Sequence, residues 1–221
     1  MSLDDGDRLA LRVDDALPGS DPSDADVVRY SVSFQAAQGW LPLCGLDSAG
    51  KPVRAIPLAG RWDLRQGVPG GGAWLDDPDG FTFACEGYVL AKCVDMGYAP
   101  WREGRSCLAG TRGKGDCTQK ISLAPYHHAC ARMLRADYCG DGTSHTQDGT
   151  ALNAYDALGV RFDSEDWAAE SEWTEAGASC LARLRDPSAA APACADRLLD
   201  ARCGQPGSVA ASTLLVSEIV P

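Results

Sequence analysis

The sequence predicts an α+β fold, a β-rich N-terminal third packed on a disulfide-rich part with two main helices and further strands. Three observations carry that expectation. Alternating runs of branched and aromatic residues crowd the first sixty-odd positions, while helical spacing appears only further on, around 84–96 and 122–135. Ten cysteines in 221 residues is an even number and a high one for a cytosolic chain, so a fully paired disulfide set is expected. The length suits one large domain or two small ones. A glycine-rich run sets a boundary between a β-rich region, 1–75, and a cysteine-rich region, 76–221, and both fit within one continuous globular unit.

In chain order, RLALRV (8–13) and VVRYSVSF (27–34) alternate as strands around an acidic, proline-containing loop. GWLPLCGLD and PVRAIPLAGRW are further strand candidates flanking a hairpin turn at Ser48–Lys51. Pro42 and Pro57 lack a backbone donor and favour sheet edges. The run QGVPGGGAWLDDPDG (66–80) is a loop or hinge; no Gly-Lys-Ser/Thr follows it, which excludes a phosphate loop. In ACEGYVLAKCVDM (84–96), Cys85, Val89, Cys93 and Met96 fall on one helical stripe that Gly97 ends. A second helix has Ser122 as its cap, Pro125 in its first turn, Cys130, Met133 and Leu134 on one face, and Gly140 after its last turn. TALNAYDALGV is a strand with a loose second half. WAAESEW alternates, with Trp167, Ala169, Ser171 and Trp173 on one face and Glu170 and Glu172 on the other. A short helix around 195–202 and the strand STLLVSEIV close the chain.

Composition bounds the function. Lys and Arg total 20 against 31 Asp and Glu, a formal net charge of −11, so nucleic acid is not an expected partner. Acidic runs at Asp14–Asp15, 21–26 and 76–79 are solvated loops. The longest apolar runs fall far short of the roughly 20 residues of a transmembrane segment. The start, MSLDDGDRLALRV, has no basic n-region or apolar core of a signal peptide. The cysteines nonetheless imply an oxidising compartment, so the chain is read as secreted, periplasmic or cell-surface, with its export signal or lipid anchor not in this sequence.

The densest chemistry lies in HHACARMLRADYCGDGTSHT (127–146). His127, Cys130, Cys139 and His145 are zinc-type ligands, but there is no Cys-x-x-Cys, and disulfides are the simpler use of the thiols; no metal and no cofactor are expected. The Asp141–Asp148 spacing does not match a calcium loop. A Cys139 nucleophile disappears once Cys139 is paired, and a Gly-x-Ser-x-Gly elbow is absent. What remains for a secreted hydrolase is a His/Asp centre of His128, Asp137, Asp141 and His145. Against it, Asp141 between two glycines and Asp148-Gly149 are turn chemistry, Asp137 at a helix end bonds nearby backbone or an arginine such as Arg135, and Tyr138 is a corner residue with a fixed hydroxyl partner. Among six tryptophans, Trp74 in the glycine-rich loop is the candidate for an exposed platform that binds a glycan or peptide.

The blocks FTFACEGYVLAKCVDMGYAPW and HHACARMLRADYCGDGTSHTQDGT, then Asp166-Trp167 with Trp173, then GASC, resemble the ADYC domain family over about residues 80–182. The resemblance implies a bacterial, mostly exported or lipoprotein-like chain of unassigned activity, and transfers no catalytic residue. The insert SCLAGTRGKGDC departs from the family pattern, as does Ala169 where a larger apolar residue is usual.

Spacing constrains the bridges. Eight residues of helix rise about 12 Å, whereas bridged Cα atoms lie within roughly 7 Å, so neither helix closes on itself. Cys107–Cys117 and Cys194–Cys203 are expected to pair locally. Cys44, Cys85, Cys93, Cys130, Cys139 and Cys180 keep about 15 connectivities open, with at least one bridge expected from Cys85 or Cys93 to Cys130 or Cys139. Gly140 or Gly142 should have positive φ. The leading reading is an exported, disulfide-stabilised binding or envelope-associated module; the alternative is the hydrolase.

Overall fold

The structure is a computed structural model and describes residues 9–20, 22–106, 119–205 and 207–220. In chain order the strands and helices are β1 (Leu11–Pro18), β2 (Val28–Ala36), β3 (Gly39–Pro42), β4 (Ala55–Ala59), β5 (Arg61–Trp62), β6 (Trp74–Leu75), β7 (Phe81–Cys85) and α1 (Val89–Asp95). There follow β8 (Glu103–Ser106), β9 (Gln119–Ser122), α2 (Ala124–Arg135), β10 (Asn153–Asp156), β11 (Ala168–Thr174), β12 (Gly177–Leu181), α3 (Ala195–Leu198) and β13 (Leu215–Ile219). Strands outnumber helices, and the class is broadly α+β. The chain divides into two compact units, Met1–Gly60 with Asp77–Lys92, and Arg61–Asp76 with Cys93–Pro221.

The first unit holds an antiparallel sheet in the order β1-β2-β4-β7, with β3 paired to β2. Val27, Val32, Ala55, Ile56, Leu58, Ala84 and Ala91 are among its buried apolar residues. Its edge strand β1 is almost wholly exposed, and its Arg12, Asp14 and Asp15 make that edge a poor template for further strands. The turn at Ser48–Lys51 forms, with the Asp47 carboxylate accepting the backbone N–H groups of Ala49 and Lys51 and Gly50 at φ 75°, but the strands it was expected to join, β3 and β4, each pair with β2, and only the isolated Leu46–Pro52 bridge closes the turn. Two further expectations are corrected. Pro57 lies within β4 rather than at a sheet end; β4 meets β2 only at Tyr30–Ala55, so little ladder is lost to the missing donor. The segment from 84 is not yet helix: Phe81–Cys85 pairs residue by residue with β4, Gly87 turns the chain at φ 82°, and α1 starts at Val89. Cys85 is bridged to Cys44 within this unit.

The second unit holds an antiparallel sheet in the order β10-β13-β11-β12, on which α2 packs. β13, flanked by strands on both sides, is buried throughout. Tyr126, Ala129, Cys130 and Met133 of α2 face this core, as do Trp173, Leu181 and Leu215. The α2 cap is Leu123, not Ser122, although the Ser122 hydroxyl accepts the Ala124 N–H at 3.2 Å. Pro125 sits in the first turn and Arg132 and Arg135 in the last, where cations complement the carbonyl end of the helix dipole. A Cys93–Cys130 bridge joins α1 to α2. The expected local Cys194–Cys203 pair does not form: Cys194 bonds Cys139 and Cys203 bonds Cys180. The reason is positional, since α3 follows Cys194 directly and the chain then runs to β12, which carries Cys180. The expected Cys107–Cys117 pair lies outside the described residues. Among the described residues, no helix is long and apolar enough to cross a membrane.

Candidate functional site

The tetrapeptide Ala136–Cys139 is the corner where α2 ends. Ala136 takes the left-handed conformation, φ 49°, and its N–H returns to the carbonyls of Arg132 and Met133. That reversal drives the next three side chains in different directions. Asp137, fully buried, pairs with the Arg132 guanidinium and accepts the N–H groups of Asp141 at 3.1 Å and Gly142 at 2.9 Å. Its partner is therefore Arg132; Arg135 instead donates to the Gly142 carbonyl. Tyr138 stacks on Trp173 at 5.4 Å and donates its hydroxyl to Glu170 at 2.7 Å. Burial, followed by the neighbouring Glu170 charge, pushes the Tyr138 hydroxyl far above its ordinary range, so it remains protonated. Cys139 reaches Cys194. Gly140 and Gly142 both have positive φ, 69° and 83°, and a Cβ on either would collide with a carbonyl, that of Ala176 or of Arg65.

The glycine-rich run, 66–72, lies against this corner as a strap between β5 and β6. Arg132 ties it down: its Nη1 donates to the Gly71 carbonyl at 2.6 Å as well as to Asp137, and its Nε donates to the Glu175 carbonyl at 3.2 Å. A Cβ on Gly72 would approach Nη1 to 2.6 Å, so close approach explains a glycine here. The strap returns Trp74 opposite Trp62 in the β5–β6 ladder. Both indoles converge on His128, one turn before Arg132 on α2. Trp74 stacks on its imidazole at 5.1 Å and 25°, and Trp62 stands nearly perpendicular to it at 5.3 Å and 84°. Glu175, in the β11–β12 turn, accepts or shares the Nδ1 hydrogen of His128 at 3.0 Å. Together these residues and the strap backbone line a cleft of about 410 Å³.

Electrostatically the cleft is uneven. Burial is the main influence on His128 and lowers its pKa below the ordinary 6.5; the Glu175 hydrogen bond and charge oppose it, and Arg132 contributes a smaller lowering. The imidazole is thus neutral at pH 7. The Glu175 side chain is half exposed, whereas Arg132 is buried and matched by Asp137. The cleft can hold a ligand against aromatic walls beside one open carboxylate. Its His–carboxylate pair has no hydroxyl or thiol among the residues that line the cleft.

Two expected site residues, Trp74 and His128, therefore meet in one cleft. The other three do not join them. Asp137 lies behind Arg132; Asp141 caps the Thr143 N–H at 2.9 Å and lines a separate hollow beside the Cys139–Cys194 bridge; and the His145 ring packs on Tyr138 at 5.8 Å. Cys130 and Cys139 are each bridged, which removes them from the zinc-type set. Among the described residues, Glu172, Cys180 and Cys203 lie within metal-binding distance of one another, but the two sulfurs are bonded together.

Sequence alternation missed Glu170 and Glu172, both buried. Glu170 receives Arg185 in a two-pronged contact at 3.0 and 2.9 Å, with Tyr138 and Ser217 as further donors. Glu172 accepts the N–H groups of Gly204 and Ala210 and the hydroxyl of Thr213. Trp62 and Glu175 were also missed, and neither carries a local signal. No curated protein and no solved structure matches the chain at a significant level. A family model described as the ADYC domain matches residues 1–187.

Proposed function

Because the chain belongs to the ADYC domain family, we propose that it is an exported, disulfide-stabilised binding or envelope-associated module, with its ligand seat in the cleft between Trp62, Trp74 and His128. One observation carries the reading: the sequence-distant Trp62, Trp74, His128 and Glu175 converge on one cleft, at which Arg132 already holds the Glu175 carbonyl. The tetrapeptide supports it from below as a corner, with Asp137, Tyr138 and Cys139 each consumed by an internal partner. Four disulfides among the described residues fit an oxidising compartment. The runner-up, a hydrolase on His128, Asp137, Asp141 and His145, needs these groups around one reacting bond.

The test is a screen of glycans, peptides and small molecules against the oxidised chain, repeated with Trp74→Ala. The expected result is a ligand whose affinity falls at least about tenfold in the variant while its melting temperature holds, since aromatic contacts contribute roughly this much. Binding indifferent to Trp74, or ester or glycoside turnover that His128→Gln abolishes, would overturn the proposal.

A further inference from the structure

The cleft's charge and ring geometry identify a class of ligand, on the reading that the cleft is the ligand seat. Trp74 lies nearly parallel to the His128 ring and Trp62 nearly perpendicular to it, so the aromatic walls meet at a steep angle. An indole face carries negative electrostatic potential and attracts cations, most strongly where water is displaced. Beside these walls the Glu175 carboxylate is open to solvent over about half of its side chain, 52%. The nearby cation, Arg132, is 5% exposed and paired with Asp137, so its charge is locally compensated.

We propose that the cleft binds a small organic cation, a methylated ammonium group carried on a choline-sized molecule. Its volume, about 410 Å³, lies within the roughly 300 to 1,000 Å³ usual for small-molecule sites. A methylated ammonium also suits the hydrogen-bonding state of the walls. The Glu175 carbonyl already accepts from Arg132, and Glu175 Oε1 is engaged by His128. A primary ammonium brings three donors that need acceptors, whereas a methylated one needs only apolar contact and charge. The neutral imidazole adds no competing positive charge at pH 7.

The experiment titrates the full oxidised chain with choline, tetramethylammonium, lysine and 3,3-dimethylbutan-1-ol, the uncharged carbon isostere of choline. Tryptophan fluorescence and calorimetry are read at constant ionic strength. Choline and tetramethylammonium should saturate, and both the isostere and lysine should bind at least about tenfold more weakly. Glu175→Gln should weaken choline by about tenfold and leave the isostere unchanged. Equal affinity for choline and its isostere, lysine binding as well as choline, or no saturation by either methylated cation overturns the proposal. If the cations fail while a neutral glycan or peptide saturates a Trp74-dependent signal, only the ligand class falls. If no ligand depends on Trp74, the cleft itself is the wrong site.

Discussion

Replacing Arg132 by methionine removes a cation shared by the corner, the strap and the β11–β12 turn. The Arg132 and Asp137 side chains are 5% and 1% exposed, so the pair is desolvated. Methionine occupies similar space but leaves the Asp137 carboxylate with the two backbone donors of Asp141 and Gly142, and strips Arg132 from the Gly71 and Glu175 carbonyls. Breaking a buried pair by deleting one partner costs about 3 to 5 kcal/mol. At roughly 2 to 4 °C per kcal/mol for a chain of this size, the melting temperature should fall by about 6 to 20 °C. Arg132→Lys keeps the charge but lacks the planar fork that serves diverging acceptors, and should lie between wild type and Arg132→Met. Adding Asp137→Asn to Arg132→Met should recover part of the loss, because the amide removes the stranded charge. Urea unfolding under non-reducing conditions, followed by circular dichroism and tryptophan fluorescence, measures all four proteins. A cost below about 1 kcal/mol for Arg132→Met, or no recovery in the double variant, would refute the view that this buried charge pair holds the corner.

Gly140→Ala should cost more than about 3 kcal/mol, because the residue combines φ 69° with a Cβ position on the Ala176 carbonyl. Gly149→Ala, at φ 86° in open space, should cost only about 1 to 2 kcal/mol; equal costs in denaturant titrations would deny the close approach at Gly140. For His128, burial holds the folded pKa below 6.5. Below about pH 6.5 the unfolded chain therefore binds a proton that the folded chain resists, so stability is lost as pH drops from about 6.5 toward the folded value, while above about pH 6.5 neither state is protonated and nothing is lost. The melting-temperature difference between wild type and His128→Gln, followed from about pH 8 to pH 5, should move against wild type on the acid side. A flat difference would mean the imidazole is not held neutral.

What local patterning could reveal, it did. Strands β1 and β2 form and pair, Asp47 and Gly50 mark the turn between β3 and β4, and Cys130 and Met133 share the buried face of α2. Where two periods overlap, pairing decided: Cys85 fits the helical stripe that continues through Val89 and Cys93 as well as it fits a strand, and the ladder of Phe81–Cys85 with β4 selected the strand. Alternation puts Glu170 and Glu172 on the strand face opposite Trp167 and Trp173 and says nothing of what covers that face. Their donors lie far along the chain, Arg185 at 15 positions, Tyr138 at 32 and Ser217 at 47 from Glu170. No window of sequence holds such a cage. The cleft was half visible for the same reason: Trp74 stood out in its loop and His128 in its cluster, but Trp62 meets them only through a two-residue ladder, and Glu175 only through a turn between distant strands.

The last two bridges interleave, since Cys180 falls between Cys139 and Cys194, and Cys194 between Cys180 and Cys203. This matters while the chain is being made. When cysteines are oxidised in order of emergence, Cys139 meets Cys180 first and Cys194 is left with Cys203, a closed but wrong set with no free thiol to correct it. Leaving that state takes an external thiolate that attacks a finished bridge and passes through a mixed disulfide. Escape from that state therefore takes a thiol as well as an oxidant, and a preparation oxidised by air alone should contain molecules of identical mass that differ in which sulfurs are joined.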